Sequence, residues 1–258
     1  MAFGVSAQIE TDRPDFTESP NVVPKRSIQL ETGIAYGHSF DQTGCEDLNT
    51  SDITLNTGLI RYGIGAKTEL RLNWNVGQVI TLGDQGGTGT SPCPQGGGSF
   101  VSELSTGLSP IFIGIKRNLH ASEHISIGLL AHLYLPFTGT KGFEADRFAP
   151  EFLLPVAIAV SDKFTVAFQL GMSWDGNSVE PEGSYTLSMA YSVTDRLGAY
   201  LEPYGYKNQT HGFGSRDGRI NGGFTYLLSD TFQLDISSGI HNGPTDAWTD
   251  YFVGCGFS

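Results

Sequence analysis

Two neighbouring stretches of the chain alternate strictly between large apolar and small side chains. The large face of residues 164–174 consists of Phe164, Val166, Phe168, Leu170, Met172 and Trp174. The large face of residues 183–193 consists of Tyr185, Leu187, Met189, Tyr191 and Val193. A period of two predicts β-strands, because successive side chains leave opposite faces of an extended chain. The side chains on the opposite faces are too small to pack a core. The Trp and Tyr side chains near the ends of the large faces favour a membrane–water boundary. The pattern therefore predicts one hairpin of an outer-membrane barrel.

Similar segments recur along most of the chain after an irregular leader. The leader, residues 8–27, contains three prolines, which cannot donate to a sheet ladder. Most of the segments have about the 9–11 residues that a tilted strand needs to cross a bilayer. Twelve are predicted, at 28–38, 52–62, 67–77, 106–117, 124–135, 151–160, 164–174, 183–193, 197–207, 218–228, 231–241 and 248–257. The phase of segments 52–62 and 106–117 is ambiguous, so the sequence does not assign their lipid and lumen faces.

The links between these segments alternate between long and short. The long links are 39–51, 78–105, 136–150, 175–182, 208–217 and 242–247, and the last three short ones carry the related sequences VSDKF, VTDRL and LSDTF. Short periplasmic turns and long external loops give this alternation in outer-membrane barrels. We therefore predict an all-β fold, a single closed antiparallel transmembrane β-barrel of about 12 strands. The alternative is a soluble barrel or sandwich, but the wet face of such a protein usually carries Lys and Glu.

Composition narrows the class of protein further. Charged residues make up 16% of the chain and the formal net charge is −12, which argues against a nucleic-acid partner. No uninterrupted apolar run approaches the ~18 residues of a transmembrane helix. Residues 1–7 end like a secretory cleavage site, Val5-Ser6-Ala7, and are predicted to be a signal-peptide remnant. The remaining chain divides into the leader, 8–27, and a barrel, 28–258, in the bacterial outer membrane.

Several stretches carry a resemblance to a known family. They are TDRPDFTESPNVVPKRSIQLETGIAY from residue 11, LIRYG from 59, TELRL from 68, YLEPYG from 200 and YFVGCGFS from 251. In these stretches the chain resembles the outer-membrane proteins grouped as the "putative MetA-pathway of phenol degradation" family. The resemblance implies an outer-membrane barrel of a Gram-negative bacterium with a role in transport.

Ionisable residues within the predicted strands are candidates for the lumen. Arg or Lys facing lipid at the membrane midplane costs ~2–4 kcal/mol, so an inward orientation is strongly preferred. The candidates are Glu31, Arg61, Glu69, Arg71, Glu202 and Asp235. They form either a polar lining that selects solutes or an ion-pair network that holds the barrel or the leader. The leader carries possible partners, Asp12, Arg13, Asp15 and Glu18, and part of it is expected to enter the periplasmic mouth and narrow it.

The three cysteines indicate at most one disulfide and no four-thiolate zinc site. Cys45 and Cys93 lie in the first two long links, on the same side of the membrane, where an oxidising compartment permits a disulfide. Two free thiols are the alternative. Cys255 shares its phase with Tyr251 and Val253 and is expected to face lipid.

Catalysis finds no support in the sequence. Only His132 among the six histidines lies within a predicted strand rather than near its end, and no Gly-x-Ser-x-Gly, His-Glu-x-x-His or paired-carboxylate motif accompanies it. We predict no enzyme, no cofactor and no metal. The leading hypothesis is a channel for passive passage of small, hydrophobic or aromatic solutes, whose partners are outer-membrane lipid and those solutes. The alternatives are a structural or partner-binding barrel with a closed lumen and, less favoured, an outer-membrane hydrolase.

Overall fold

The computed structural model describes residues 9–43, 46–84, 99–207, 218–242 and 249–258. These residues form the strands β1 (Ile28–Thr43), β2 (Glu46–Gly65), β3 (Thr68–Asp84), β4 (Ser99–Leu108), β5 (Phe112–Ala121), β6 (Ile125–Tyr134), β7 (Ala149–Ser161), β8 (Phe164–Ser173), β9 (Glu182–Ser192), β10 (Leu197–Lys207), β11 (Gly218–Ser229), β12 (Phe232–Asn242) and β13 (Thr249–Phe257). No helix within these ranges is both long and apolar enough to cross a membrane.

Apart from β4 and β5, strands that are neighbours in sequence pair antiparallel, and the sheet closes on itself. β1 pairs with β2 on one side and with β13 on the other, where Thr32 lies opposite Phe257. β3 pairs with β2 along its whole length, with β5 near the periplasmic end and with β4 near the external end. β4 and β5 therefore share one position, and the ring has twelve positions. The predicted closed antiparallel barrel of about 12 strands is confirmed.

Bulges explain why the sequence did not assign lipid and lumen faces to segments 52–62 and 106–117. Val76 pairs with Leu108 and Asn73 with Phe112. The chain therefore advances four residues from β4 to β5 while β3 advances three, so the β4–β5 side contains one extra residue. An extra residue moves the following side chains to the other face, because the side-chain period is two. The segment 106–117 was thus wrongly predicted as one strand. A second bulge lies in β2, between Thr54 and Asn56, within the ambiguous segment 52–62.

The first strands are longer than predicted. β1 continues to Thr43 and β2 begins at Glu46, so most of the predicted loop 39–51 is strand. β3 likewise continues to Asp84, which shortens the predicted loop 78–105. Main-chain pairing continues in water beyond the bilayer, whereas the prediction ended these strands at the length of a membrane crossing.

Large apolar side chains cover the outside of the barrel, as an outer-membrane location requires. Ile34 is 56% exposed, Leu170 57% and Ile236 51%. Tyr185 and Tyr191 on β9 are also exposed, and their separation of six residues corresponds to about 20 Å along a strand. Two such tyrosines can mark the upper and lower edges of an apolar band about 25 Å tall.

The related short turns all use a hydroxyl side chain at the same position. Ser161 Oγ accepts a hydrogen bond from the Phe164 amide at 3.1 Å, and Thr194 Oγ1 accepts one from the Leu197 amide at 2.9 Å. Ser229 Oγ accepts one from Thr231 at 3.3 Å. Ser and Thr favour such turns because their side chains satisfy the local backbone.

A closed barrel should resist denaturation by detergent at room temperature. We expect an unboiled sample to migrate differently from a boiled sample in gel electrophoresis, because the folded barrel stays compact until it is heated. Circular dichroism of the refolded protein should be dominated by β-structure. Identical mobility before and after boiling, or a mainly helical spectrum, would contradict this architecture.

Candidate functional site

The leader forms a finger inside the barrel, and both of its ends lie at the periplasmic end. The Ile9 amide donates to the Asp230 carbonyl, in the β11–β12 turn, at 2.8 Å. The Arg26 amide donates to the Gly63 carbonyl near the β2–β3 turn at 2.7 Å. A side chain at Gly63 would clash with the carbonyl of Pro24, so glycine permits this close approach. We call residues 9–27 the finger and residues 13–18 its tip.

Hydrogen bonds join the two arms of the finger. Asp12 Oδ1 accepts one from the Ser19 amide at 3.0 Å. The Glu10 carboxylate accepts two more, from Ser19 Oγ and from Asn21 Nδ2, each at 3.1 Å. These bonds give an otherwise irregular segment a defined shape.

Asp12 lies at the centre of a buried charge cluster. Its carboxylate is 2.5 Å from Arg71 Nη1, 2.7 Å from Lys116 Nζ and 3.2 Å from Arg61 Nη1. Burial raises the pKa of Asp12, but the three cations outweigh that effect and hold its pKa well below the usual value. The finger is therefore attached to the wall of the barrel through an ionised carboxylate.

Carboxylates of the wall and the finger complete this cluster. Arg61 Nε is 2.8 Å from Glu69, and Arg61 Nη1 is 2.9 Å from Glu31. Glu18, at the end of the tip, is 2.9 Å from Arg71. Arg61, Glu31 and Glu69 are all at most 1% exposed. Each charge in such a site depends on its partners, because one buried charge left unpaired costs several kcal/mol.

Lys116 belongs to this cluster but is absent from the residues predicted from sequence. It lies on β5, just beyond the bulge that reverses the phase of the predicted segment 106–117. Its neighbours Ile113 and Ile115 are 45% and 43% exposed, so they lie on the outer face of β5 and Lys116 lies on the inner face. The alternation of β5 read alone, from Phe112 onward, could have placed Lys116 in the lumen.

Arg13 occupies a different part of the lumen from the cluster. Its guanidinium donates to Asp235 on β12, with Nη2 at 2.9 Å and Nε at 3.1 Å. A side chain at Gly33 of β1 or Gly256 of β13 would overlap the guanidinium, so these two glycines leave room for it. The contact lies at the seam where β1 and β13 close the barrel.

The tip also contacts the opposite wall, through β8, β9 and β10. Glu202 is fully buried and accepts hydrogen bonds from the Phe16 and Thr17 amides, each at 2.8 Å. Gln169 accepts one from the Glu18 amide at 3.0 Å. The finger therefore spans the lumen, and all ten charged residues selected from the sequence lie where the finger and the wall meet.

Two of the cavities beside the finger meet at its tip. The outer cavity, of about 370 Å³, lies on the external side of the tip and includes Asn75, Ser184 and Tyr206 in its wall. The inner cavity, of about 390 Å³, lies on the periplasmic side. Asp15 and Glu18 line both cavities, so the tip alone separates them at this point.

Aromatic rings line the outer cavity. The ring of Phe16, at the tip, lies 4.5 Å from that of Tyr204 and is 42% exposed. On the wall formed by β5 and β6, Phe112 stacks on His132 at 4.5 Å and lies 5.0 Å from Tyr134. His132 and Tyr134 are two residues apart on β6 and therefore share a face. This spacing could have indicated from the sequence that both side chains lie on the same side of the barrel wall.

His132 is paired with a carboxylate, and within the described residues no nucleophile is bonded to this pair. Its Nδ1 lies 2.6 Å from Glu151, and neither residue contacts a serine or cysteine nucleophile in the bonds that the structure records. Within the described ranges no group of three or more His, Cys, Asp or Glu residues is arranged to hold a metal ion. Cys255 is free and exposed, whereas Cys45 and Cys93 lie outside the described residues, so their disulfide stays a prediction.

Comparisons with known proteins agree with this architecture. The sequence profile of a family described as "Putative MetA-pathway of phenol degradation" matches residues 11–254. No protein with a curated function matches the sequence. The fold is similar to an outer membrane channel from Pseudomonas putida F1, with 13% identity, a TM-score of 0.53, and 96% of this chain and 100% of that chain covered.

Two further solved structures share the fold. The toluene transporter TbuX of Ralstonia pickettii has 7% identity and a TM-score of 0.50, with 92% of this chain and 89% of that chain covered. The translocator domain of the autotransporter NalP from Neisseria meningitidis has 12% identity and a TM-score of 0.51, with 89% and 87% covered. The protein is thus a bacterial outer-membrane barrel. These neighbours are named as channel, transporter and translocator.

Proposed function

The chain belongs to the family described as "Putative MetA-pathway of phenol degradation" and has the fold of an outer-membrane barrel, and from this we propose that it is a passive channel for small solutes. The finger narrows the channel, and aromatic solutes are the preferred class. The observation that carries the proposal is the pair of cavities that meet at the tip, one of them lined by aromatic rings.

The outer cavity suits a small ring compound in size and in chemistry. Its volume of about 370 Å³ falls near the lower end of the roughly 300–1,000 Å³ of small-molecule sites. Phe16 exposes an aromatic ring inside the lumen, beside the ring of Tyr204. A solute ring that stacks there would cover apolar surface, and an aromatic contact contributes ~0.5–1.5 kcal/mol beyond the area it buries.

The second candidate is a structural barrel with a closed lumen. The density of bonds between the finger and both walls favours it, because Asp12 of the finger binds two cations of one wall and Glu202 of the other wall accepts two amides of the finger. Glu69 accepts a further bond from the Val23 amide. Such a barrel would carry no current across a bilayer. The experiment that tests the channel therefore also separates these two functions.

We expect the reconstituted protein to conduct ions in a planar bilayer and to be blocked by an aromatic solute. Benzyl alcohol and cyclohexylmethanol form a matched pair, because they share a hydroxymethyl group and differ in the ring. Benzyl alcohol should interrupt the current at a roughly two- to tenfold lower concentration, given the energy of an aromatic contact. Phe16→Leu should reduce this difference.

Tyr191→Leu is the control, because Tyr191 faces outward and is 49% exposed. Its block by benzyl alcohol should equal that of the unmodified protein. Equal block by both alcohols would refute the aromatic preference. A folded protein that carries no current at all would favour the structural barrel.

A further inference from the structure

Charge is distributed unevenly around the tip of the finger. Arg61, Arg71 and Lys116 lie on β2, β3 and β5, and all three contact Asp12. Arg13 is paired with Asp235 on β12. A further cation, Arg219, lies nearer the external end, with its guanidinium 5.1 Å from the centre of the Tyr206 ring. At the level of the tip, the described cations are therefore bound to carboxylates away from β7–β9.

The wall formed by β7–β9 has few large side chains on its inner face toward the periplasmic end. The inner cavity is lined there mainly by small residues, among them Ala157, Ala159, Thr165, Ala167, Ser188 and Ala190. Small side chains cannot fill the lumen of a twelve-stranded barrel, since eight strands already suffice for a packed interior. The unfilled volume thus lies between the finger and β7–β9.

Asp15 stands where this volume meets the outer cavity. Its carboxylate accepts a hydrogen bond from Ser188 Oγ at 2.7 Å. Glu202, its charged neighbour on β10, is satisfied by two amides and one hydroxyl of the finger and by Asn221. In the part of the chain that the structure describes, no ion pair reaches Asp15 or Glu202.

We propose that solutes pass between the tip of the finger and the β7–β9 wall, and that Asp15 makes this path admit cations and neutral solutes in preference to anions. The inference rests on the proposed channel function. In a narrow, low-dielectric passage a single carboxylate acts strongly on a passing ion, because little water and salt screen it. Passages lined by one sign of charge concentrate the opposite ion at least about tenfold.

The preference should depend on pH near neutrality. Burial and the charge of Glu202 raise the pKa of Asp15 to about 7, against the opposing effect of the Ser188 hydrogen bond. The other ionisable groups around it are Asp12 and Glu18 of the finger and Tyr200 of β10, while β9 presents Ser188, which does not titrate. Cation preference is therefore greater at pH 8 than at pH 6.

Reversal potentials in a KCl gradient test the role of Asp15. We expect the intact protein to prefer K⁺ to Cl⁻, and Asp15→Asn to lower the K⁺/Cl⁻ permeability ratio at least about threefold and to reduce its pH dependence. Asp195→Asn is the matched control, because Asp195 is exposed in the β9–β10 turn, and it should leave the ratio unchanged. A current with the same ratio in intact and Asp15→Asn protein refutes the role of Asp15 and leaves the channel itself standing. Absence of any current in the intact protein overturns both proposals.

Cysteine labelling tests the path independently of Asp15. In a background with Cys45, Cys93 and Cys255 changed to Ser, a cationic thiol reagent should lower the current of Ala167→Cys. The same reagent should not affect Val166→Cys, since Val166 neighbours Ala167 in sequence but points to the opposite face of β8. A current through Ala167→Cys that the reagent does not alter, although mass analysis shows modification, would place the path elsewhere.

Discussion

Removing residues 1–26, so that the chain starts at Ser27, is expected to raise the single-channel conductance several-fold. The finger spans the lumen, because its Asp12 binds Lys116 on one wall and its Thr17 amide binds Glu202 on the other. Its tip alone separates the two cavities at Asp15 and Glu18. Without it the cavities merge into one water-filled passage. A twelve-stranded barrel leaves such a passage because its inward side chains do not fill the lumen.

The shortened barrel should still fold. Arg61 keeps Glu31 and Glu69 as partners on the wall, and water entering the open lumen would solvate Arg71 and Lys116. The heat-dependent gel shift provides the control for folding. Equal conductance with and without residues 1–26 would show that the finger does not obstruct the passage. No conductance in either protein would favour the structural barrel.

Replacing Arg61 by Met is expected to lower the free energy of unfolding by about 3–5 kcal/mol, the cost of breaking a buried ion pair. The Arg61 side chain is fully buried between Glu31, Glu69 and Asp12. It also donates to the Glu10 carbonyl at 2.8 Å and the Asn21 carbonyl at 3.2 Å, one on each arm of the finger. Met fills much of the same volume but leaves three carboxylates without this partner.

Unfolding in urea, followed by tryptophan fluorescence in detergent micelles, measures the change. Arg196→Met in the exposed β9–β10 turn is the control and should change stability by less than about 0.5 kcal/mol. Arg61→Lys should fall between the two, because Lys keeps the charge but lacks the planar fork that binds two carboxylates. A second change, Glu69→Gln, should recover part of the loss in Arg61→Met. A loss below about 1 kcal/mol in Arg61→Met would show that the cluster is not a closed network.

The strands and their faces could be predicted because one pattern, the period of two, has one physical cause. Glu31, Glu69 and Arg71 alternate with large apolar residues such as Leu30, Leu70 and Leu72, and lipid makes the inward orientation of the charges strongly favourable. The pattern fails where a bulge adds a residue. Lys116 lies beyond such a bulge, and its partners could not be predicted.

The pairing of the finger with the wall had no comparable local signal. The partners Arg13 and Asp235 are 222 residues apart in sequence, and Lys116 and Asp12 are 104 apart. Opposite charges suggested that the leader meets the lumen, but several pairings satisfied that condition equally well. The choice among them depends on the shape of the finger, which is fixed by short-range bonds such as that from the Ser19 amide to Asp12. These bonds follow no periodic pattern.

Both arms of the finger leave the barrel at the same end, beside the β11–β12 and β2–β3 turns. A segment that ran from one mouth to the other could be removed only by threading its free end through the whole passage. A finger folded back on itself needs no threading, and it can be withdrawn or reinserted from the periplasm while every strand stays paired. The finger can therefore enter or leave the lumen without any change in the pairing of the strands. A pulling force on its N-terminal arm would act on the finger without separating the strands of the sheet.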